Sequence, residues 1–210
     1  MKLFDFGPAA NARRVTIFLK EKGLELETVT PDLRSGALHQ EPYKSMNPFS
    51  CVPFLELDDG TVISESIAIC RYIEEMHPEP SLMGRDATER AVAEMWNRRV
   101  EIDGFVPMIH SLRNGEDTYS GRVLPGTKND LPREPVIVER GKASLEILHE
   151  RLDPQLADNP FIAGDLFTVA DITHFMTMGI ADRLGVPISD SCPNVKRWLA
   201  DVSARPSVQD

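Results

Sequence analysis

Two different spacings of hydrophobic residues along the first eighty positions predict a unit that mixes strands and helices. Residues 2–6 and 26–30 are short apolar runs typical of strands, and Gly7-Pro8 ends the first of them. Between the two runs, residues 11–22 place apolar side chains at helical spacing, with Asn11 as the expected N-cap. Because a helix joins the two strands, we expect the strands to be parallel.

A hairpin and a second helix complete this unit. The turn sequence Asp58-Asp59-Gly60 separates two strand-like runs, residues 52–57 and 61–64, which we expect to pair as a β-hairpin. A helix is expected to open at Ser64 or Glu65 and to continue to residue 76. The predicted order of elements is therefore β-α-β followed by β-β-α.

The rest of the chain is predicted to be all helical. Two prolines in His77-Pro78-Glu79-Pro80-Ser81 prevent a helix from continuing, so this segment is the predicted domain boundary. Gly104 and Pro107 are expected to bend the first helix that follows, and Thr168 with Asp171 forms a capping box that starts the third. Helices are predicted over residues 86–112, 135–152, 168–184 and 195–204, with a loop over residues 114–135.

The composition narrows the class of protein. A chain of 210 residues, of which 41% are hydrophobic, can build one or two compact cores. With 23 Lys and Arg residues against 33 Asp and Glu residues, the net charge of −10 argues against nucleic acid and anionic lipid as partners, because both need a basic surface. No apolar run approaches the roughly 20 residues of a membrane span. Asp5 falls where a signal peptide would carry its apolar segment.

The cysteines point to a reducing compartment. Three cysteines without a CxxC spacing argue against a disulfide scaffold and against a cysteine-based zinc site. No metal site is expected, and the expected location is the cytoplasm.

Two dipeptides place backbone and polar groups where a small molecule can bind. Pro53 opens a strand, and a cis Val52-Pro53 bond would turn the N–H and C=O of Val52 outward as a peptide-binding edge. An ordinary edge-strand proline is the alternative. At Glu65-Ser66 a carboxylate, a hydroxyl and free N–H groups meet at a helix start, which suits the ammonium and carboxylate of an amino acid. Plain N-capping is the alternative there.

The first strand-to-helix turn is a candidate anion site. Free N–H groups at the helix start after residues 7–11 favour an anion. Arg13-Arg14 can offset the negative charge of a ligand. The alternatives are an ordinary capped helix and arginines on a solvated face.

A set of motifs spread over nearly the whole chain is more specific than any of these features. The motifs are Asn11-Ala-Arg-Arg-Val15, Asn47-Pro48 with Val52-Pro53, Asp58-Asp59-Gly60, Glu65-Ser66-Ile-Ala-Ile69 with Tyr72, and Ala163-Gly164-Asp165 with Thr168-Val-Ala-Asp171-Ile. By these motifs the chain resembles the glutathione S-transferase superfamily. The resemblance implies a thioredoxin-like α/β domain over residues 1–77, a linker over 78–85, an all-helical glutathione-transferase domain over 86–210, and a homodimer.

The resemblance also implies a function and a set of site residues. The chain is expected to activate glutathione, its co-substrate, as a thiolate that attacks a small electrophile bound between the two domains. Val52 would pair its backbone with the cysteinyl part of glutathione, while Glu65 and Ser66 would hold the γ-glutamyl end. Either His39 or Gln40 lies where the family often contacts the glycyl carboxylate. The residues expected to line the electrophile site are Trp96, Met108, His110 and Arg113, each with a core or surface role as its alternative, and Asp103 is an acid that can reach across a dimer interface.

The residue that activates the thiol departs from the family pattern. A free thiol titrates near 8.5, and lowering that value by about two units takes roughly 2.7 kcal/mol. A helix N-terminus supplies about 0.3–1 kcal/mol, so a hydrogen-bond donor to the sulfur is expected. Bacterial members that resemble this chain carry Ser and Pro where it has Ala9 and Ala10. Asn11 is therefore the expected donor, with simple helix capping as its alternative.

Two other ways of handling the thiol stay open. The segment Trp96-Asn-Arg-Arg99 resembles a branch best known from a yeast enzyme, which uses a bound water, and Arg113 or Asn114 lies near the position of the histidine that helps to hold that water. Cys51 can form a mixed disulfide with glutathione and support thiol–disulfide exchange. The alternative functions are a glutathione-dependent disulfide reductase or isomerase on the same fold, and a glutathione- or ligand-binding protein without catalysis.

Overall fold

The structure is a computed structural model that describes residues 1–209. The chain divides into two compact units. The first unit contains residues 1–80 together with residues 125–128, and the second contains the other described residues. The sequence-based prediction of a single boundary did not assign residues 125–128 to the first unit. The predicted domain bounds at residues 77 and 86 stay a prediction.

The first unit is a four-stranded sheet with helices, in the strand order β2-β1-β3-β4. Its strands are β1 (Lys2–Phe4), β2 (Glu27–Val29), β3 (Phe54–Glu56) and β4 (Val62–Ser64), and its helices are α1 (Ala10–Lys22), α2 (Tyr43–Met46) and α3 (Ser66–Met76). β1 pairs with β2 in parallel, with Leu3 opposite Thr28, and pairs with β3 in antiparallel fashion, with Leu3 opposite Leu55. β3 and β4 form the expected hairpin. The parallel pair, the hairpin and the thioredoxin-like plan are confirmed.

The ends of the first helix follow from local geometry. The first strand ends at Phe4, two residues earlier than predicted, and the carbonyl of Phe6 accepts a hydrogen bond from the N–H of Ala9 at 2.8 Å. This turn starts α1 at Ala10. The helix ends at Lys22, as predicted, because Gly23 adopts φ 67° and its N–H bonds to the last carbonyls of the helix.

Lys22 fastens the end of α1 to the end of α3. Its ammonium group is buried and pairs with the Glu74 carboxylate at 2.6 Å. The same group donates to the carbonyl of His77 at 2.7 Å and to that of Pro80 at 2.6 Å. The proline-rich segment after α3 is therefore held to the first unit by a buried charge with three partners.

An apolar cluster of Phe4, Leu38 and Phe54 anchors two loops of the first unit. The rings of Phe4 and Phe54 stack with 4.5 Å between their centroids. Leu38 lies in a short 3₁₀ turn, Ala37–His39, and Val52 packs against the same cluster. The cluster thus ties the loop after β2 and the loop before β3 to the sheet.

The second unit is all helical, as predicted. Its helices are α4 (Ala87–Val100), α5 (Val106–Gly115), α6 (Pro135–Ala157), α7 (Val169–Arg183) and α8 (Pro193–Ser203), with a 3₁₀ turn at Asp117–Tyr119. A π-helical turn over Glu101–Phe105 joins α4 to α5, where a bend was predicted. The capping box of Thr168 and Asp171 starts α7 and is confirmed. Among the described residues, no helix combines the length and the apolar character that crossing a bilayer needs.

Helix α6 is longer than its predicted range. Pro154 lies inside it, and the helix continues to Ala157 although an interior proline costs about 3 kcal/mol. Leu152 and Leu156 are buried on either side of the proline, and burying one leucine side chain contributes about 1.5–3 kcal/mol. Packing therefore outweighs the local preference of the proline.

Candidate active site

The first helix begins without a side-chain cap. Ala9 is its N-cap residue, with φ −80° and ψ 130°, and no side chain accepts a hydrogen bond from the first turn. The prediction that Asn11 caps the helix is wrong, because the turn from Phe6 to Ala9 starts the helix earlier and makes Asn11 its second residue. The first N–H groups of α1 are therefore left for an acceptor outside the helix.

The third helix begins in the same way. Its N-cap is Glu65, which has φ 73° and ψ 121°, a backbone conformation that residues other than glycine rarely adopt. The Glu65 side chain is exposed and accepts no hydrogen bond from its own helix. Backbone strain of this kind persists where the surrounding structure holds it, and it concentrates at functional sites. The start of α3 thus keeps its N–H groups and a nearby carboxylate for a ligand.

A chain of hydrogen bonds connects the two helix starts. Arg14 Nη1 donates to Ser66 Oγ at 2.8 Å, and Ser66 Oγ donates to Asn11 Oδ1 at 3.3 Å. Arg14 and Ser66 are buried, with 1% and 3% of their surface exposed. The structure therefore brings together two of the predicted site residues, Asn11 and Ser66, which are 55 positions apart in the sequence.

The direction of this chain sets the orientation of the Asn11 amide. A guanidinium can only donate, so Ser66 Oγ accepts from Arg14 and turns its own proton toward Asn11. That proton needs an acceptor, which places the carbonyl oxygen of Asn11, and not its NH₂ group, against Ser66. Asn11 Nδ2 has no hydrogen-bond partner within residues 1–209. Its two protons are therefore available to a ligand.

Positive electrostatic potential gathers where α1 and α3 begin. Each helix N-terminus carries a partial positive charge, and the buried guanidinium of Arg14 adds a full one beside Ser66. A charge acts more strongly in a buried setting than in water because the local dielectric constant is lower. The arrangement can therefore bind an anion at each helix start and donate a hydrogen bond from Asn11.

Val52 lies at the end of a turn that Asn47 holds. Asn47 is buried, its Nδ2 donates to the carbonyl of Cys51 at 2.8 Å, and its Oδ1 accepts from the N–H of Phe49 at 3.2 Å. The Val52-Pro53 peptide bond is cis, as the sequence suggested. Neither the N–H nor the C=O of Val52 forms a hydrogen bond with another described residue. This backbone can pair with an extended peptide, as predicted for the cysteinyl part of glutathione.

His39 and Gln40 lie at the end of the 3₁₀ turn Ala37–His39. Both side chains are exposed, and neither forms a hydrogen bond or an ion pair within the part of the chain that the structure describes. Leu38 anchors the turn in the apolar cluster that also receives Val52. A contact between either side chain and a glycyl carboxylate stays a prediction.

The residues predicted to line the electrophile site differ in exposure. Met108 has none of its surface exposed, which matches its alternative role as a core residue, and its role at the electrophile site stays a prediction. Trp96 is half-buried on α4, and His110 is exposed on α5. Asp103 forms an ion pair with Arg99, one turn earlier. Its contact across a dimer interface stays a prediction.

Arg113 and Asn114, the candidates for holding a bound water, are engaged within the second unit. Arg113 Nη1 donates to the carbonyl of Arg122 at 2.6 Å. Asn114 Nδ2 donates to the carbonyl of His110, and its Oδ1 accepts from the N–H of Glu134, both at 2.9 Å. Both ends of the Asn114 amide therefore already have partners within the second unit, and the bound-water alternative stays a prediction.

The three cysteines differ in accessibility. Cys51 is half-buried, whereas Cys70 and Cys192 are buried, and none of the three is in a disulfide. Burial raises the pKa of the Cys70 thiol to about 12, although the charge of Arg14 acts against the shift. A thiol with so high a pKa is inert at neutral pH. A mixed disulfide of Cys51 with glutathione stays a prediction.

The sequence did not reveal the roles of two residues at this site, Arg14 and Asn47. Arg14 was expected to face a ligand charge, but it acts through Ser66. A signal was present, because Arg14 lies on the apolar face of α1 beside Val15, and a charged residue on a buried face needs a partner. Asn47 was noted only as part of a motif, and no local pattern showed that its amide would hold the turn before Val52.

Known protein families and relatives match both parts of this chain. The family models "Glutathione S-transferase, N-terminal domain" and "Glutathione S-transferase, C-terminal domain" match residues 10–76 and 129–206. Glutathione S-transferase 2 of Saccharomyces cerevisiae is 30% identical to this chain over 215 residues, which cover 100% of this chain and 88% of the yeast protein.

Solved structures extend the comparison to the fold. A glutathione S-transferase domain-containing protein of Marinobacter aquaeolei VT8 is similar with a TM-score of 0.87 and 34% identity, covering 100% of both chains. A glutathione S-transferase of class Gtt2 from Vibrio parahaemolyticus gives a TM-score of 0.84 and 35% identity, covering 100% of this chain and 96% of that one.

Proposed function

Because the chain belongs to the glutathione S-transferase family, we propose that it binds glutathione as a co-substrate and presents its thiolate to a small electrophile. The thiolate sulfur forms a bond to an electrophilic carbon of the second substrate. In a substitution, the leaving group departs with its electron pair. In an addition to a double bond, the displaced electron pair of that bond takes up a proton. The protein contributes proximity and stabilisation of the thiolate, without a covalent protein intermediate.

The three parts of glutathione fit three features of the first unit. The γ-glutamyl carboxylate is an anion for the N–H groups at the start of α3, next to Ser66, and Glu65 offers a carboxylate to the γ-glutamyl ammonium. The cysteinyl peptide is the extended partner for the N–H and C=O of Val52, which have no partner among the described residues. The glycyl carboxylate is assigned to His39 or Gln40.

The observation that carries the proposal is the orientation of the Asn11 amide. Ser66 accepts from Arg14 and donates to the Asn11 carbonyl oxygen, so Asn11 Nδ2 is left as a donor at the start of α1. A hydrogen bond to a charged acceptor contributes about 1.5–3 kcal/mol. Together with the helix N-terminus, at about 0.3–1 kcal/mol, this covers most of the roughly 2.7 kcal/mol that a two-unit lowering of the thiol pKa requires.

A homodimer is part of the proposal. Phe49 is a large apolar side chain with 65% of its surface exposed in the first unit. Met95, Ile102 and Val106 are exposed apolar residues of the second unit, and exposed apolar patches are typical of protein–protein interfaces. In analytical ultracentrifugation, we expect the protein to sediment with twice the mass of one chain.

The test of glutathione binding is Ser66→Ala, compared with the wild type by isothermal titration calorimetry. Loss of the hydroxyl removes the bond to Arg14 and the fixed orientation of Asn11, so we expect the Kd for glutathione to rise about tenfold or more. The matched control is Ser64→Ala, two residues earlier at the end of β4, whose hydroxyl has no partner within residues 1–209. Wild-type protein that does not bind glutathione, or a Ser66→Ala variant that binds as tightly as Ser64→Ala, would contradict the proposal.

A further inference from the structure

A short segment far along the sequence packs against the turn before Val52. Residues 125–128, which we name the strap, lie in the long loop between α5 and α6 but group with residues 1–80 as part of the first unit. The residues on both sides of the strap belong to the second unit. The contacts that the strap makes within the first unit explain why it is grouped there.

Gly126 provides the contact. A Cβ atom built on Gly126 would lie 2.0 Å from the carbonyl oxygen of Phe49 and 3.0 Å from Cys51 Sγ. The backbone of the strap therefore lies directly against the backbone of residues 49–51, with no room for a side chain. Gly126 also has φ 70°, a conformation that glycine adopts without strain. Two independent constraints thus act at this position: the space leaves no room for a Cβ atom, and the dihedral angle favours glycine.

The turn under the strap is itself under constraint. Ser50 has φ 52°, in the left-handed region that residues other than glycine rarely adopt. Asn47 accepts from the N–H of Ser50 with its carbonyl at 2.9 Å and holds Cys51 through its side chain. A strained turn persists only where its surroundings fix it, and here Asn47 supplies hydrogen bonds while Gly126 supplies packing.

We infer that the strap is a positioning element for glutathione, and that Gly126 keeps the turn of residues 49–51 in the conformation that presents the backbone of Val52. This inference rests on the proposed function, because it concerns the assigned partner of the Val52 backbone. Gly126 is a positioning residue and touches no reacting atom in this account. Its replacement weakens the binding of glutathione and leaves the turnover of bound glutathione nearly unchanged.

Cys51 gives a readout of the strap that does not depend on glutathione. Its sulfur lies close to Gly126, so displacement of the strap uncovers it. Cys70 and Cys192 are buried, with 0% and 2% of their surface exposed, and react slowly by comparison. Alkylation by iodoacetamide, followed by mass spectrometry with fragmentation to assign the modified cysteine, therefore measures how well the strap covers the turn.

The experiment compares Gly126→Asn with the matched control Gly121→Asn. Gly121 lies in the same loop with φ 71°, but a Cβ there would meet only the carbonyl of Asn129, at an ordinary 3.6 Å. Asparagine tolerates positive φ better than other side chains, so both variants retain the loop conformation and only Gly126→Asn disturbs the contact with Phe49. Gly126→Ala and Gly121→Ala form a second matched pair in case an asparagine variant does not fold.

For Gly126→Asn we expect the KM for glutathione to rise about tenfold with kcat changed by less than about twofold, since the Val52 hydrogen bonds are weakened in ground state and transition state alike. Alkylation of Cys51 is expected to become faster in Gly126→Asn and to stay at the wild-type rate in Gly121→Asn. Equal Cys51 reactivity in both variants overturns the contact. Faster alkylation with an unchanged KM overturns the positioning role.

If the proposed function is wrong, glutathione binding and Cys51 alkylation give a different pattern of results. If the wild-type protein does not bind glutathione, the positioning role fails with it. The alkylation rates of the two variants still differ in that case, because they depend only on the contact between the strap and the turn.

Discussion

Helices α7 and α1 begin in opposite ways. In α7 the Thr168 side chain and the Asp171 side chain bond each other's backbone N–H groups, so the fold itself satisfies the helix start. In α1 the N-cap is Ala9, and no side chain bonds the first turn. α4 resembles α7, since Asp86 accepts from the N–H of Glu89 at 2.9 Å, whereas α3 resembles α1.

Under the proposed function, this difference separates polar residues that stabilise the fold from polar residues that bind glutathione. Asp171 accepts from the N–H groups of Ile162 and Thr168 and from Trp198 Nε1, so every bond is internal. The chain from Arg14 through Ser66 ends at Asn11, whose NH₂ group has no partner in residues 1–209. The complete network stabilises the fold, whereas the network that stops at Asn11 leaves a donor available to the proposed ligand.

The largest expected effect is the loss of stability in Asp171→Ala. The change leaves three buried donors without an acceptor, so we expect the free energy of unfolding to fall by about 3–5 kcal/mol. Urea unfolding followed by tryptophan fluorescence measures it, because Trp96 and Trp198 both lie in the second unit. Asp182→Ala, an exposed acid on the same helix, is the control. Equal stability of the two variants would show that the capping network is not what holds α7.

A smaller effect on the free energy of unfolding is expected from the buried histidine pair of the second unit. The rings of His149 and His174 lie 5.3 Å apart, and His149 Nε2 has no partner among the described residues. Burial lowers the pKa of His149 from 6.5 to about 4. Burial, with the nearby His149 as a second cause, lowers the pKa of His174 as well. Protonation of these histidines therefore favours the unfolded chain.

The sign of the pH dependence follows from this direction. A histidine whose folded pKa is lowered contributes its full stability above the unfolded value and loses it as the pH falls from about 6.5 to about 4. Each pH unit in that window is worth about 1.4 kcal/mol, so the loss from His149 reaches about 3 kcal/mol. We expect the unfolding free energy of His149→Leu to depend less on pH than that of the wild type. Asp171, whose pKa burial raises, is present in both proteins, so its titration cancels in the difference.

His110→Gln is the control for this titration, because His110 is exposed on α5. It is expected to keep the wild-type pH dependence. If His149→Leu keeps the same dependence as well, the buried pair is not the source of the acid sensitivity.

The smallest effect in stability tests the open helix start directly. Ala9→Asp and Ala9→Asn each give α1 the side-chain cap that it lacks, so both are expected to raise stability by about 1 kcal/mol. Both caps compete with the thiolate for the N–H groups, and the aspartate adds a negative charge that repels it. Urea unfolding by circular dichroism measures the gain, and turnover with an aromatic halide measures the loss. A variant that becomes more stable while turnover is unchanged would break the link between an open helix start and thiolate binding.

Local patterns predicted the elements, whereas contacts between distant residues built the site. The parallel strands, the hairpin and the capping box follow from periodicity and turn chemistry within short windows. The orientation of the Asn11 amide does not, because its partner Ser66 lies 55 positions away and takes its direction from Arg14. The position of Gly126 was equally beyond a local pattern, since the contact that requires glycine is with Phe49. Packing of Leu152 and Leu156 likewise carries α6 past Pro154, beyond the predicted end of the helix at residue 152.

The most direct test of the central claim is the pKa of the thiol of bound glutathione, followed by the ultraviolet absorbance of the thiolate in the wild type and in Asn11→Ala. We predict a value about two units below the free value near 8.5 in the wild type, and a return of most of that difference in Asn11→Ala. A bound thiol that titrates near 8.5 in the wild type, or a lowered value that Asn11→Ala leaves unchanged, would contradict the account.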